Sequence, residues 1–268
     1  MKNWKLKAYG FLIYAFLYIP ILVLIILSFN ENRQSSVWTS FSLKWYGVLL
    51  QNEALWEAVW HSLVVAGWTA FIGTVLGTLT ALGLARSRVP GRGLIEALLY
   101  LPMILPDIVL GVGGLIFFSA MGFTLGLTTI LAAHVGMALS YVVLVLRARL
   151  AGMDQALEDA ARDLGATPLQ AFWHVTLPLL APGIVAGALL AFTLSLDDFV
   201  LAFFMTGPGS NTLPIHVYSM LKKGLTPEVN ALSTVLLAGT GLAVWLFQSL
   251  TAVGGRQKAK KMEGELTS

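Results

Sequence analysis

Cysteine is absent from all 268 residues, which removes disulfides, thiol nucleophiles and thiolate metal sites together. Charge is nearly as scarce, at 12% of residues against 57% hydrophobic, a balance that excludes an ordinary soluble domain. No G-x-x-x-x-G-K-[ST] sequence occurs, so the chain has no Walker A loop and no nucleotide-binding site of its own is expected. The few histidines, His61, His134, His174 and His216, lack metal-ligand spacing, and no Ser/His/Asp grouping can be drawn from the sequence. Neither catalysis, a cofactor, a metal nor a nucleic-acid partner is expected.

What is present is a succession of long apolar runs. A helical span of a lipid bilayer needs roughly 20 apolar residues, and the spacing of the charges leaves room for about six. The alternating segments of about ten residues that build a membrane barrel are missing. The expected class is therefore all-α, a polytopic membrane protein with six transmembrane helices. Residues 1–7 form a basic arm, and 8–30 a first span too long for a signal-peptide core. The stretch 31–57 is polar and holds Trp38, Trp45 and Trp56, which suits an external loop at the interface. A core over 58–253 holds five further spans: about 58–85, one starting near Leu94, about 127–146, one from near Leu180 to Thr206, and about 230–253. Pro102, Pro106 and Asp107 interrupt the second of these and predict a kink. Thr226 and Pro227 read as the cap and first residue of the last span. Residues 254–268 are a polar, lysine-rich tail.

Six spans place both ends of the chain on one side. That side carries Lys2, Lys5, Lys7, Arg86, Arg88, Arg92, Arg147, Arg149, Arg162, Arg256, Lys258, Lys260 and Lys261, against Arg33, Lys44, Lys222 and Lys223 opposite. By the positive-inside rule both termini are cytoplasmic. A bacterial inner membrane is the expected location.

One long polar stretch, 150–178, breaks the apolar pattern and falls on the same cytoplasmic side. Asp154 can cap a helix in which Leu157, Ala160, Ala161 and Leu164 share a face, and Gly165 supplies the stop. Thr167 and Gln170 have capping-box spacing around Pro168, so a second helix starts at once and is expected to end at Leu177 and Pro178. The pair is expected to lie flat on the membrane.

Three carboxylates fall inside apolar runs, Asp107, Asp197 and Asp198, where an acid costs about 2.5–3.5 kcal/mol on insertion scales. At about 1.5 Å per residue, Asp107 lies roughly 20 Å from Leu94 and Asp197 roughly 25 Å from Leu180, in the middle to outer half of a core about 30 Å thick. Acids at similar depth on two spans suit a cation with several ammonium groups, and Phe199 with Phe203 could offer a ring face to it. The alternative is that these acids satisfy freed backbone donors or helix-helix contacts, or sit in the outer interface. Asp197 and Asp198 differ by about 100° around a helix, so at least one takes a structural role. His134 reads as a hydrogen bonder between helices.

Asp159, Ala160, Ala161, three residues, Gly165, nine residues, Val175, one residue, Leu177 and Pro178 resemble the EAA motif of ABC importer permeases, with Asp159 at the Glu position, Val175 at the Ile position and Glu158 adjacent. The stretch LSLDDFVLAFFMTGPGSNTLPIHVYSMLKKGLTPEVNALST from Leu194 to Thr234, together with YAFLYIPILVLIILSFN, Lys44-Trp45-Tyr46 and Pro106-Asp107-Ile108-Val109, is similar to spermidine/putrescine permeases, above all to the second permease subunit of such systems. The resemblance implies a type I ABC importer permease core with a cytoplasmic coupling helix and polyamines as solute. It implies four kinds of partner: a homologous permease subunit, a cytoplasmic ABC ATPase dimer, a periplasmic polyamine-binding protein and the lipid bilayer. It assigns ATPase coupling to Leu157, Asp159, Ala160, Ala161, Leu164 and Gly165, and makes Asp107, Asp197, Asp198 and Phe199 candidates for solute binding. Rival readings are a related permease for another solute, an ion-driven carrier, which has no need of the EAA stretch, and a purely structural membrane subunit.

Overall fold

The computed structural model describes residues 3–32, 37–86, 90–154, 156–224 and 226–242, with Asn3 and Lys5 as backbone only. Met1, Lys2, Arg33, Arg88, the end of the last expected span at 243–253 and the tail 254–268 lie outside the described residues. The chain divides into two units, one built from the segment up to Glu53 and the segment from Val217 onward, the other from Ala54 to His216.

The first unit begins with α1 (Asn3–Leu27), which continues through Pro20. Just beyond its end the chain ties a small knot around Asn30, which is fully buried. The Asn30 amide donates to Val37 O at 2.7 Å, its Oδ1 accepts from Thr39 N at 3.0 Å, and its backbone carbonyl accepts from Trp45 Nε1 at 2.9 Å. Ser28 Oγ lies 2.7 Å from Tyr46 OH, and the Phe29 ring stacks on Phe41. Thus Ser28-Phe29-Asn30 and Lys44-Trp45-Tyr46, distant in sequence, are one interlocked structure. The expected external loop 31–57 is therefore partly regular, holding α2 (Lys44–Leu50) and the start of α3 (Glu53–Arg86). The same unit contains the helical segment 227–242, whose first turn closes with Val229 N donating to Thr226 O at 3.0 Å.

The second unit is organised by α6 (Leu127–Ala151), packed between α3 and α9 (Leu177–Asp197). Without a hydrophobic force between helices in lipid, close packing needs small residues. Gly73 and Gly77 on α3 and Gly183 and Gly187 on α9 supply them. A Cβ on Gly73 would stand 3.3 Å from Ala138 Cβ, and one on Gly187 would stand 3.3 Å from Val142 Cγ1. A Cβ on Gly77 would lie 2.5 Å from Val142 Cγ1 and 2.8 Å from its Cβ. Val142 is thus held between two glycines, with Ala81, Ala138, Leu146, Leu180 and Ala191 completing a buried cluster. The register places α3 parallel to α6 and α9 antiparallel to both.

Two helices break inside apolar sequence. α4 (Arg92–Ile104) runs through Pro102, and the interruption comes at Leu105 and Pro106, after which α5 (Asp107–Ala120) leaves at 114°. This exceeds the expected kink. A residue before proline is pushed to extended geometry, as Leu105 is (ψ 141°), and Pro106 is extended too (ψ 138°), so two successive residues leave the helix. α9 stops at Asp198 (ψ 123°), and α10 (Val200–Met205) restarts two residues later. α5 packs on α10 closely enough that Cβ atoms at Gly111 and Gly114 would collide with Phe204 and Met205.

The polar stretch contains α7 (Ala156–Asp163) and α8 (Pro168–Ala171). α8 does not end at Pro178. It passes through a wide turn, Phe172–Thr176, into α9, giving an unbroken helical run Pro168–Asp197. Pro178 has no N–H to give the ladder, and the turn before it is rewound so that Leu177 N donates to Phe172 O. The second helix of the pair is therefore continuous with the helix of the expected fifth span, and only α7 stands as a separate short helix.

Among the described residues four helices are long and apolar enough to cross a membrane, Leu6–Leu27, Glu53–Arg86, Leu127–Ala151 and Pro168–Asp197, and the count is five if the bent pair α4–α5 is one broken span rather than a re-entrant loop. The Gly77 contact sets a test of the packing. Gly77→Ala is expected to lower resistance to unfolding in detergent by about 1–3 kcal/mol through overpacking. Gly83→Ala on the same helix, where nothing lies within 4 Å, should be neutral. Equal stability of the two variants would remove the α3–α6 contact from the folding core.

Candidate solute and coupling sites

The arginine-rich end of the second unit is where α7 is fastened. Asp154 Oδ1 accepts from Ala156 N at 2.9 Å and opens the helix. At its other end Gly165 takes φ +92°, while Ala166 N donates to Ala161 O and Gly165 N to Arg162 O, the paired closure that a left-handed glycine permits. Thr167 and Gln170 form the expected reciprocal cap, with Thr167 N to Gln170 Oε1 at 2.8 Å and Gln170 N to Thr167 Oγ1 at 3.3 Å.

Glu158 holds α7 in place. Its Oε2 pairs with Arg86 at the end of α3 and accepts from Thr176 Oγ1 at 2.8 Å, and its Oε1 pairs with Arg162 at 2.9 Å. Arg86 also donates to Thr176 Oγ1 at 2.9 Å, closing a triangle between α3, α7 and the wide turn. These groups line a cavity of about 330 Å³ together with Met153, Asp154 and Val175. Asp159, one residue on, is exposed, as are Leu157, Ala160, Leu164 (89%) and Gly165, while Ala161 is half-buried. The exposed side of α7 carries leucines and small residues, and its inner side is fixed by Glu158. Asp159 is exposed at the rim of the same cavity. Nothing local in the sequence marked Arg86 or Thr176 as members, since they lie 72 and 18 residues from Glu158.

Other arginines brace the same end. Glu96 on α4 lies between Arg92 and Arg147, each at 3.1 Å, and Arg147 also reaches Tyr100 OH at 3.2 Å. Arg149 donates to Leu179 O at 3.0 Å, beside the turn that Pro182 interrupts.

The three acids of the apolar runs lie at the two helix breaks. Asp107 is the first residue of α5 and is exposed, and Asp197 is the last residue of α9 and is exposed. Among the described residues neither carboxylate has a hydrogen-bond or ion-pair partner. Asp198 is different. Its Oδ2 accepts from His134 Nε2 at 3.1 Å and from Ala202 N at 2.9 Å, so it caps the first turn of α10 and ties it to α6. His134, 1% exposed, reaches back through Nδ1 to Ser195 Oγ at 2.7 Å, and Ser195 Oγ lies 3.3 Å from Thr69 Oγ1 on α3. Asp198 accordingly takes the structural place that one of the pair had to take, and His134 is the inter-helix hydrogen bonder expected of it. Phe199 does not stand free: it packs against the buried cluster of Val65, Ile130, Ala202 and Met205, with its ring 5.3 Å from that of Phe203. No group of three or more His, Cys, Asp or Glu side chains among the described residues is arranged to hold a metal.

The segment after α10 is pinned over the same region. Gly207 lies against Leu125 O with no room for a Cβ, Thr129 Oγ1 donates to Met205 O at 2.9 Å, and Leu213 N donates to Ser62 Oγ at 2.7 Å. The Gly-Pro of the resemblance is thereby explained at Gly207 by a close backbone approach.

This arrangement of a long run from the α7 end to a broken far end is the fold of ABC importer membrane subunits. The membrane protein of a bacterial alginate ABC transporter superposes with a TM-score of 0.68 at 18% identity, over 92% of this chain and 96% of that one. A chain of the MetNI methionine ABC transporter superposes at 0.57 with 22% identity, over 78% and 94%. The chain belongs to the binding-protein-dependent transport system inner membrane component family, whose profile matches residues 73–254. Among its relatives are the putrescine transport system permease protein PotI of Escherichia coli, 40% identical over 93% of this chain and 92% of that protein, and the spermidine/putrescine permease PotC of the same species, 41% identical over 95% of each. The chain is thus a multi-pass inner-membrane permease subunit.

The Glu158 triangle carries an expected outcome. Glu158→Gln or Arg86→Gln should speed amide exchange across 156–163 by roughly threefold to tenfold, about 0.7–1.4 kcal/mol of lost local stability, with exchange in α6 unchanged. Unchanged exchange in both variants would show that α7 is held by other contacts.

Proposed function

We propose that this chain forms half of the transmembrane pathway of an ATP-driven importer for polyamines of the spermidine and putrescine type. The observation that carries the reading is the pair of exposed carboxylates, Asp107 and Asp197, without partners among the described residues and set at two helix breaks inside apolar sequence. An uncompensated acid in that setting is expensive and needs a cation from outside the chain. The relatives whose names specify putrescine and spermidine align with nearly the whole chain at 40–41% identity. A flexible polycation with several ammonium groups can neutralise acids on two spans at once.

On this reading both termini and α7 are cytoplasmic. The exposed residues Leu157, Asp159, Ala160, Leu164 and Gly165, with half-buried Ala161, meet a cytoplasmic ATPase dimer, because the chain has no Walker A loop of its own. A homologous permease subunit completes the pathway, and a periplasmic polyamine-binding protein delivers the solute. A structural relative is a bacterial alginate ABC transporter captured with its pentasaccharide-bound periplasmic protein, which supports such an assembly.

The test is uptake of radiolabelled spermidine and putrescine by the reconstituted transporter. Asp107→Asn and Asp197→Asn should each raise KM about tenfold or more, corresponding to about 1.4 kcal/mol, while assembly with the ATPase and the second permease is retained. Unchanged uptake kinetics in both variants would remove these acids from the pathway, and absence of polyamine transport by the unaltered complex would refute the solute.

A further inference from the structure

Asp197 and Asp198 are neighbours in the same break, yet one is exposed without a partner among the described residues and the other is committed to an interior network. The difference begins with Ser195. Asp198, the residue just past the end of α9, follows Ser195 by three positions and continues its face, whereas Asp197 stands about 200° round the helix from Ser195. One side chain grips that shared face from opposite. His134 contacts Ser195 Oγ at 2.7 Å on the near side of the break and Asp198 Oδ2 at 3.1 Å on the far side. Ser195 is in turn 3.3 Å from Thr69 on α3, and Asp198 holds Ala202 N at 2.9 Å, so α3, α6, α9 and α10 meet through this one imidazole.

The geometry points to His134 as a positioning residue for the solute site. By fixing Ser195 and Asp198 against α6, it commits Asp198 to bracing the break and turns Asp197 outward as the carboxylate that meets the passing cation. The identification of that cation as a polyamine rests on the reading above; the division of roles between the two aspartates does not. Asp198 has no capacity left for a solute on Oδ2, which already accepts from His134 and Ala202. Were His134 lost, Ser195 and Asp198 would lose their shared partner on α6, and Asp197 its fixed direction.

The natural absence of cysteine makes the test direct. Single replacements Asp197→Cys and Asp198→Cys are made in this chain, and the complete transporter in proteoliposomes is treated with a cationic, membrane-impermeant methanethiosulfonate. Labelling is read as a mass shift on this chain. Asp197→Cys should react at least tenfold faster than Asp198→Cys. Adding His134→Ala to Asp197→Cys should lower its labelling rate threefold or more, and His134→Gln, whose amide can still donate to Asp198, should restore it. If His134→Ala fails to insert, Ser195→Ala removes the Nδ1 partner and should lower labelling in the same direction. Equal rates at the two positions, or a rate at 197 that ignores His134 in an inserted protein, would overturn the positioning role. Uptake of spermidine by the unaltered transporter reads the solute separately: the expected labelling pattern without such uptake supports the role of His134 and counts against the polyamine.

Discussion

An amide N–H or carbonyl released inside an apolar layer has no water to bond, and the second unit is built around that constraint. It contains two breaks, at Leu105–Pro106 and at Asp198–Phe199, and each leaves the ends of two helices to be satisfied by something other than the helical ladder. At the first, two residues extend together and the following helix departs at 114°. At the second, a carboxylate caps the new helix and a histidine on α6 holds that carboxylate. The helices that follow, α5 and α10, are short and meet through Gly111 and Gly114, where any side chain would strike Phe204 or Met205. The end of the unit that holds the breaks can be irregular because specific side chains take over the work of the missing ladder.

The packed stack below the breaks obeys a simpler rule. Residues 69, 73, 77 and 81 on α3, 134, 138, 142 and 146 on α6, and 195, 191, 187 and 183 on α9 advance in steps of four and stack in layers, from the polar layer of Thr69, His134 and Ser195 to the alanine and glycine layers below it. Small residues let the three axes approach, and dispersion between closely packed backbones replaces the hydrophobic force that lipid cannot provide. Beyond the last layer the chain leaves the packed stack, and arginines take over: Arg86 with Glu158, Arg147 with Glu96, and Arg149 with the Leu179 carbonyl.

The sequence made much of this legible, and its silence elsewhere has physical reasons. The apolar runs, the cap at Asp154, the glycine stop at Gly165 and the Thr167–Gln170 box are local signals, and each is satisfied by atoms a few residues away. The continuation through Pro178 was not legible, because whether a proline ends a helix or rewinds the preceding turn depends on the packing around that turn. Pro102 and Pro106 make the same point, since the first is carried within α4 and the second ends it. Of the candidate solute residues, Asp107 and Asp197 could be found from the expense of an acid in an apolar run. The division between Asp197 and Asp198 depends on His134, 64 residues from Asp198, and Phe199 is held by a cluster drawn from α3, α6 and α10. Long-range partners of this kind leave no periodicity to read.

The unbroken run Pro168–Asp197 ties these regions into one device. It begins at the cap beside α7, carries Thr176 of the Glu158 triangle in its wide turn, passes Val142 at Gly187, and ends at the carboxylate proposed to meet the solute. At about 1.5 Å per residue this is a rod of roughly 45 Å. In the proposed importer a displacement of α7 by the ATPase would enter at one end of that rod, and a packed, glycine-lined helix transmits displacement as rigid-body movement. The polar layer at His134 then stands where the rod ends and the break begins. A brace at that point lets the two aspartates keep their separate directions while the helix moves, so the interaction that makes the break possible is also the one placed to carry movement to the site.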